Sequence, residues 1–529
     1  MIYFLISIIP MFIYMLIKST KGLHSLQQNW YNDGNRYIKW INNNLSKVFL
    51  SFDMLFLIVI AVGFLGNYIL QYVLWIILYI ISIFVIIRKK EQVKLPLKYT
   101  SRIKRLLVTI ILIYLIPIFL ICIFYNEYSL NIYYIILGIL VYFSYYIVIL
   151  ANIINKPIEK IVYFYYKNMA SKKLSQLSNM QVVGITGSYG KTSSKNILSN
   201  ILNVKYNALP TPKNFNTLYG LMRTINENLD KFTDIFIAEM GAFRRGEIKK
   251  LCNFVHPKYG IITTIGEAHL ETFGSRDNIC IGKFELVESL PSDGVAILNG
   301  DDPYQLNYKI KNNCKVLWIG INNKDVDLYA SDIKITSNGM QFKAHFKGDK
   351  NVYEFETKLL GKANIYNILA GIILGKYLNL SIEELQRAVK GVIPVEHRLE
   401  LKYFGNINII DDAYNSNPVG SKMALDVLNL MNGKKIIVTP GMIELGDKQY
   451  EVNKQFGKYI SEVCDEVILV GEQQTKPIYD GLVEEKYDTK KIHVLNDVKK
   501  AFPLIQSLAE VNTYVLLEND LPDIFNEKE

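Results

Sequence analysis

At 529 residues the chain is too long for one ordinary domain, and its length suggests about three or four. Half of it is hydrophobic and only 20% is charged, a balance high for a soluble enzyme and low for a pure transporter. Its five cysteines (122, 252, 280, 314, 464) form no CxxC pair, which speaks against a disulfide framework or a zinc knuckle, and the placement of the +10 net charge argues against nucleic acid.

Unbroken apolar sequence is almost confined to residues 1–155. Ile2–Ile17 follows no basic residue and precedes no small-residue cleavage site, so it reads as a retained span and not a signal peptide. Phe52–Ile87 is long enough for about two crossings and is broken at Gly66 and Asn67, which predicts a helical hairpin. Leu106–Phe124 and Ile132–Ile153 each approach the roughly 20 residues that span hydrocarbon, giving an expectation of about five spans. The loop 18–47 carries Lys18, Lys21, Arg36, Lys39 and Lys47 against Asp33, and the loop 88–105 carries eight basic residues against Glu91. The tips 64–70 and 125–131 carry none, so both basic loops should face the cytoplasm. Five spans then place everything after residue 155 there as well. Lys156, Lys160, Lys167, Lys172 and Lys173 extend the pattern along a basic linker, 156–180, that reads as amphipathic and lipid-facing. The clusters Tyr145–Tyr146 and Tyr163–Tyr166 read as membrane-interface or packing residues. Asp53, at the edge of one span, is the sole charge expected inside them, which leaves no ionisable pathway for a pump.

From residue 181 short β-branched runs alternate with amphipathic stretches: QVVGIT, IFIAEM, GIITTI and VAILN, then INIID, KIIVTP, EVILVG and YVLLE. That alternation predicts doubly wound α/β sheets, in one domain over 181–393 and a second over 394–529. The segment 326–359 alternates with turn signals and reads as antiparallel hairpins beside the first sheet, and 364–392 reads as helical.

Gly187-Ser188-Tyr189-Gly190-Lys191-Thr192 follows the strand Val182–Thr186 and precedes the helical Ser193–Leu202. A phosphate loop needs glycines for close backbone approach, a helix N-terminus, a lysine for the β/γ oxygens and a hydroxyl for Mg²⁺. All are present, although Ile185 stands where the first glycine of GxxxxGK[ST] would be, and a chance GK[ST] after a strand is common. Further on stand Thr211-Pro-Lys-Asn-Phe-Asn216, Glu239-Met-Gly-Ala, Ile265-Gly-Glu-Ala-His269 with Lys283, and Asn299-Gly-Asp-Asp-Pro. Asn364–Asn367, His397-Arg398-Leu-Glu, Asp411-Asp412-Ala-Tyr-Asn415-Ser-Asn417-Pro and Gly441-Met-Ile-Glu-Leu-Gly446 follow. Taken singly, Glu239 could be a solvated acid, His269 a structural histidine, Lys283 a surface lysine, Arg398 half of an ion pair and Asp412 a turn cap.

In this order and with this shortened loop, the motifs over residues 175–470 resemble the Mur ligases, in wording most like the MurF branch, which adds D-alanyl-D-alanine to UDP-muramoyl-tripeptide. The resemblance implies a central P-loop ATPase domain and a Rossmann-like C-terminal domain behind the membrane helices. It implies an ATP-dependent ligase that joins a carboxylate to an amine through an acyl-phosphate. ATP would be held by Gly187, Ser188, Gly190, Lys191, Thr192, Ser193, Asn299, Arg398 and Asp412. Two Mg²⁺ sites are implied, through Thr192 and Glu239, and through His269 and a carbamate on Lys283. Lys191, His269 and Lys283 would be catalytic, and Asn214, Asn216, Asn415 and Asn417 would line the substrate site.

Three departures accompany the resemblance: the membrane region stands where the family has a UDP-binding domain, Ala363 replaces a frequent His, and the tail Leu516–Asp523 lacks a Gly-Ser-rich ending. The first opens alternatives to a nucleotide-linked acceptor: a lipid-linked or polymeric acidic one, or a non-catalytic ATP-binding scaffold. Against the scaffold stand Lys191, Glu239, His269 and Lys283, all intact. The expected location is the cell membrane, multi-pass, with the catalytic domains cytoplasmic and a small-molecule or lipid-linked acceptor and an amino-acid or dipeptide donor as partners. Oligomeric state is left open.

Overall fold

The computed structural model describes every residue except 89–95, 127–128, 337–338, 415–416, 444 and 521–529. The chain divides into two compact units, Met1–Tyr165 and Tyr166–Glu529.

The first unit is helical. Ile2–Gln28, Tyr68–Arg88 and Ser101–Ile123 are long and apolar enough to cross a membrane, and Leu130–Tyr142 with Ser144–Gln176, bent by 78° at the break, makes up to a fourth. The second of the five expected spans is an α-helix over only Phe56–Phe64, preceded by a 3₁₀ turn around Asp53, so the count falls short of five. The helices bury one face and leave another apolar face outward: Phe4, Met11, Trp75 and Tyr134 are inside, Ile6, Ile58, Phe84 and Phe119 outside. The interior is stitched by polar pairs, Ser7 to Tyr134 at 2.6 Å, Ser19 to Tyr114 at 2.7 Å and Gln71 to Asn131 at 2.7 Å. Lys18 does not belong to a basic loop. It lies inside the first helix, buried, 2.5 Å from Asp53, and also donates to the carbonyls of Val141 and Tyr142 where the helix breaks. Asp53 is therefore not the sole interior charge.

The second unit holds two sheets. The first contains β1 (Gln181–Thr186), β2 (Ala208–Pro210), β3 (Ile235–Glu239), β4 (Tyr259–Ile262), β5 (Val295–Asn299), β6 (Lys315–Gly320), β7 (Leu328–Thr336), β8 (Gly339–Phe346) and β9 (Val352–Thr357). Their order is β2-β3-β1-β4-β5-β6-β7-β8-β9, parallel from β2 to β7 and antiparallel from β7 to β9. The expected hairpins thus continue the main sheet; they do not sit beside it. Apolar residues of the helices Lys191–Leu202 and Lys362–Tyr377 cover one sheet face, with Ile197, Ile201, Ile368 and Ile372 in a common core. The second sheet runs β10 (Glu400–Phe404), β11 (Ile407–Asp412), β15 (Thr513–Glu518), β12 (Lys435–Thr439), β13 (Glu466–Val470) and β14 (Ile492–Leu495), parallel except for β10. In the first sheet the strand order reverses at β1, and open α/β folds bind ligands at the carboxyl ends of strands flanking such a reversal. Glu239 ends β3, in register with Ile185 of β1, so the topology brings it beside the loop that follows β1.

Candidate active site

The loop after β1 is shaped by two glycines, Gly187 at φ 149° and Gly190 at φ 78°. A Cβ on Gly187 would stand 2.0 Å from Thr263 Oγ1, so no larger residue fits without moving the loop. Lys191 opens the following helix and folds back, its Nζ donating to the carbonyls of Gly187 at 2.7 Å and Ser188 at 3.1 Å. Enclosure lowers its pKa to about 8, with Glu239 opposing the shift and Arg398 adding to it. Ser188 is committed to the loop's own architecture: its hydroxyl donates to the Gly266 carbonyl and accepts from the Gly266 amide.

Glu239 is 1% exposed and fully engaged. Its Oε2 accepts from Thr192 Oγ1 at 3.1 Å and lies 3.0 Å from the Lys195 ammonium, and its Oε1 accepts from Asn216 Nδ2 at 3.2 Å. A hydroxyl and a carboxylate converging at the mouth of a phosphate loop are hard oxygen donors of the kind Mg²⁺ takes, so Thr192 and Glu239 fit that ion. Asn214 instead donates to the Tyr414 hydroxyl at 2.8 Å, linking the substrate loop to the second sheet's domain.

His269 sits at φ 61°, with its ring 4.4 Å from that of Phe243. Burial, then the charges of Lys191 and Lys283, lower its pKa to about 4, which leaves a neutral imidazole free to ligate. Lys283, on the helix Arg276–Glu288, is 2% exposed and faces the Phe273 ring at 5.6 Å. Burial and Lys191 hold its pKa well below the ordinary lysine value, against Glu247 and Glu285. Among the described residues no group of three or more His, Cys, Asp or Glu side chains forms a metal cluster. An imidazole and an unmodified amine are a poor donor set for Mg²⁺. A neutral amine, however, is the form that adds CO₂, and the carbamate so made would supply hard oxygens.

A cleft of about 950 Å³, counting the space open to solvent, begins at Tyr189, Gly190 and Ser193 of the loop and helix start; Gly187, Ser188, Lys191, Thr192, Glu239, His269 and Lys283 are not among its lining residues. Gly190, Ser193 and Asn367 line it from the first sheet's domain, and Arg398, Asp412 and Asn417 from the second; Ile261, Ile262, Ile319 and Ala370 make an apolar wall. Arg398 lies 5.0 Å over the Tyr414 ring. Asp412 accepts from the Leu399 amide at 3.2 Å, and burial raises its pKa to about 6 although Arg398 pulls the other way. Asn417 caps the helix Pro418–Asn429, accepting from Gly420 N at 2.9 Å, and so does structural duty at the cleft's edge. Asn299 is not among the lining residues: its side chain accepts from Asp301 N, holding the turn whose Asp301 carboxylate gathers the amides of Ile321, Asn322 and Asn323. Asn415 and Glu444 lie outside the described residues. Sequence reasoning missed Lys195 and Tyr414. Lys195 stands one helical turn beyond Lys191 and hence on the same face, and Tyr414 stands inside the Asp411–Pro418 run, but neither was given a role.

Residues 185–375 match the Mur ligase middle domain, and residues 397–518 match the Mur ligase, glutamate ligase domain. The UDP-N-acetylmuramoyl-tripeptide–D-alanyl-D-alanine ligase of Bacillus subtilis is 33% identical over 309 residues, 58% of this chain and 65% of its own. The Escherichia coli protein of the same name is 30% identical over 296 residues, 55% of this chain and 65% of its own. The chain thus spans just under two thirds of these relatives. Among solved structures, MurF from Acinetobacter baumannii is 26% identical with a TM-score of 0.60, over 67% of this chain and 76% of that one. MurF from Thermotoga maritima in complex with ADP is also 26% identical with a TM-score of 0.60, over 67% and 80%.

Proposed function

Because residues 185–375 and 397–518 make this chain a member of the Mur ligase family, we propose that it is a MurF-like, ATP-dependent ligase that forms an amide bond through an acyl-phosphate. In this reading it adds a D-alanyl-D-alanine-type amine to a carboxylate of a peptidoglycan or other cell-envelope precursor. The observation that carries it is the convergence of Thr192 and Glu239 beside the glycine loop, whose Gly190 shares the lining of a cleft with Arg398 and Asp412 of the second sheet's domain.

The acceptor carboxylate attacks the γ-phosphorus, breaking its bond to the bridging oxygen and releasing ADP. The amine then attacks the acyl carbon, expels phosphate and loses a proton. Negative charge gathers at the transferred group, and preorganised cations and amides meet it. Lys191 leaves its loop carbonyls for phosphate oxygens, the amides of Gly187–Thr192 bear the rest, and Arg398 reaches the phosphates across the cleft. Asp412 accepts from the ribose. Mg²⁺, held by Thr192 and Glu239, and at a second site by His269 and a Lys283 carbamate, would neutralise phosphate charge and orient the acceptor carboxylate. Asn214, Asn216, Asn415 and Asn417 serve the substrate side.

The helical unit is read as inserted in the cell membrane, multi-pass, since its long apolar helices turn large apolar side chains outward, Ile6, Ile58, Phe84 and Phe119 among them. The basic residues flanking the helices orient the ligase domains to the cytoplasm. That unit also favours a second reading, a lipid-linked or polymeric acidic acceptor. Phosphate release by the purified full-length protein, with UDP-muramoyl-tripeptide or a polyprenyl-linked counterpart and D-alanyl-D-alanine, tests both. Lys191→Ala should lower turnover on the order of a hundredfold, as removing an oxyanion donor does. Undiminished turnover at saturating ATP would remove the phosphate-loop assignment.

A further inference from the structure

Glu239 has more donors than an intended metal ligand needs. Besides Thr192 and Asn216 it holds the Lys195 ammonium at 3.0 Å, in an ion pair whose two side chains are each 1% exposed. Burying a lysine so completely costs far more than leaving it in water unless its charge is matched, and here one carboxylate matches it. The same ammonium donates to the carbonyl of Lys213, inside the 211–216 substrate loop. Lys195 lies one turn beyond Lys191 on the same helix face, yet the two lysines are used differently. Lys191 is turned toward the loop carbonyls at the helix mouth, and Lys195 toward the carboxylate.

We propose that Lys195 is a positioning residue: a built-in cation that fixes the Glu239 carboxylate, ties the 211–216 loop to it, and keeps a divalent ion from binding tightly there before nucleotide arrives. The inference rests on the assignment of Glu239 to the metal. An ion reaching Glu239 without nucleotide meets a fixed positive charge 3.0 Å from the oxygen it needs. With nucleotide bound, phosphate charge offsets that repulsion. Metal binding and loop order are thereby linked through one side chain.

The test uses the full-length protein and Mn²⁺ alone, followed by its electron paramagnetic resonance signal, with hydrogen exchange of residues 211–217 read in parallel. Lys195→Met, close in volume and uncharged, should tighten nucleotide-free Mn²⁺ binding at least fivefold and raise exchange in the loop. Lys195→Arg, which keeps the charge, should bind Mn²⁺ as weakly as the parent. Lys195→Gln provides the charge test if the Met variant does not fold. Unchanged Mn²⁺ affinity and unchanged loop exchange in either folded uncharged variant would overturn the proposal. Glu239→Gln separates this outcome from failure of the metal assignment itself: if nucleotide-bound Mn²⁺ affinity survives that change, Glu239 is not a ligand. If it collapses while the uncharged Lys195 variants behave as the parent, only the role of Lys195 is lost.

Discussion

A lysine held away from water without an ion pair is pressed to give up its proton. Lys283 is such a residue: it has no ion pair among the described residues, and only the more distant charges of Glu247 and Glu285 stand in its favour. The proposed carbamylation would resolve the conflict by exchanging a buried cation for an anion. Lys283→Ala should therefore inactivate the enzyme and regain part of its turnover with millimolar acetate or formate, whereas Lys283→Arg, a fixed cation, should gain nothing. Full activity of the Ala variant would contradict the carbamate. Asp412 carries the complementary signature, a carboxyl raised to about 6 by burial. The native state then holds this proton more tightly than the unfolded chain, so the ionised form costs stability above about pH 6, and the cost vanishes below the ordinary carboxylate value near 4. In the proposed ribose contact the hydroxyls donate more strongly to the ionised form, so ADP affinity should weaken as pH falls through 6, by at most tenfold per unit below about pH 5. Asp412→Asn should bind ADP more weakly at pH 7 and lack that slope. The phosphates of ADP titrate equally in both proteins and cancel in the comparison, and parallel curves would show that Asp412 does not meet the ribose. The sequence singled out Lys191, Glu239 and His269 through local motifs and Lys283 through the family resemblance alone. The roles of Tyr414 and Lys195 were not legible there, because partners 200 and 44 positions away define them, and no local pattern reports such a contact.

Elements were legible to the extent that periodicity decides them. All eight β-branched runs singled out in the ligase domains are strands, whereas β2, β6, β10 and β14 escaped notice, β2 being three residues long and β10 and β14 lying at the edges of their sheet with only partial burial. In the helical unit, hydropathy located the apolar segments and could not see that Phe56–Phe64 stops at nine residues. Nor could it see that Lys18 turns inward. At the break between Leu130–Tyr142 and Ser144–Gln176 the carbonyls of the last turn run out of helical donors; the Lys18 ammonium donates to those of Val141 and Tyr142, and the Ser144 hydroxyl also donates to Val141. Asp53 then neutralises the lysine, with the Tyr14 hydroxyl donating to its other oxygen at 2.5 Å. Removing one partner of a buried pair strands the other, typically at about 3–5 kcal/mol. Lys18→Met and Asp53→Leu should each lower the melting temperature of the protein in nanodiscs, and the double variant should lose less than either alone. Additive losses would mean that the two charges act independently.

At the scale of the whole molecule, the question is what a helical unit contributes to the proposed reaction, whose assigned groups all lie in the other unit. The proposed nucleotide site draws on the glycine loop, Glu239, Arg398 and Asp412, all beyond residue 166. A chain beginning at residue 156 should therefore bind ADP as the full-length protein does, within about twofold. Its turnover depends on the acceptor. A soluble nucleotide-linked carboxylate meets the cleft by three-dimensional diffusion, and losing the helices should change little. A polyprenyl-linked carboxylate is confined to the bilayer, so holding the ligase at the same surface converts encounter into a near-intramolecular event, with gains on the order of a hundredfold or more. The truncated chain should lose that much on vesicles carrying the lipid-linked acceptor and regain it when a heterologous single-span anchor is fused in place of residues 1–155, if the helices only tether. Failure of the heterologous anchor to restore turnover would instead give residues 1–155 a part in binding the acceptor, and Lys98 and the other basic residues of the 88–105 segment would be the first to substitute. Equal turnover of full-length and truncated chains on the lipid-linked acceptor would remove the lipid reading and leave the nucleotide-linked ligase standing.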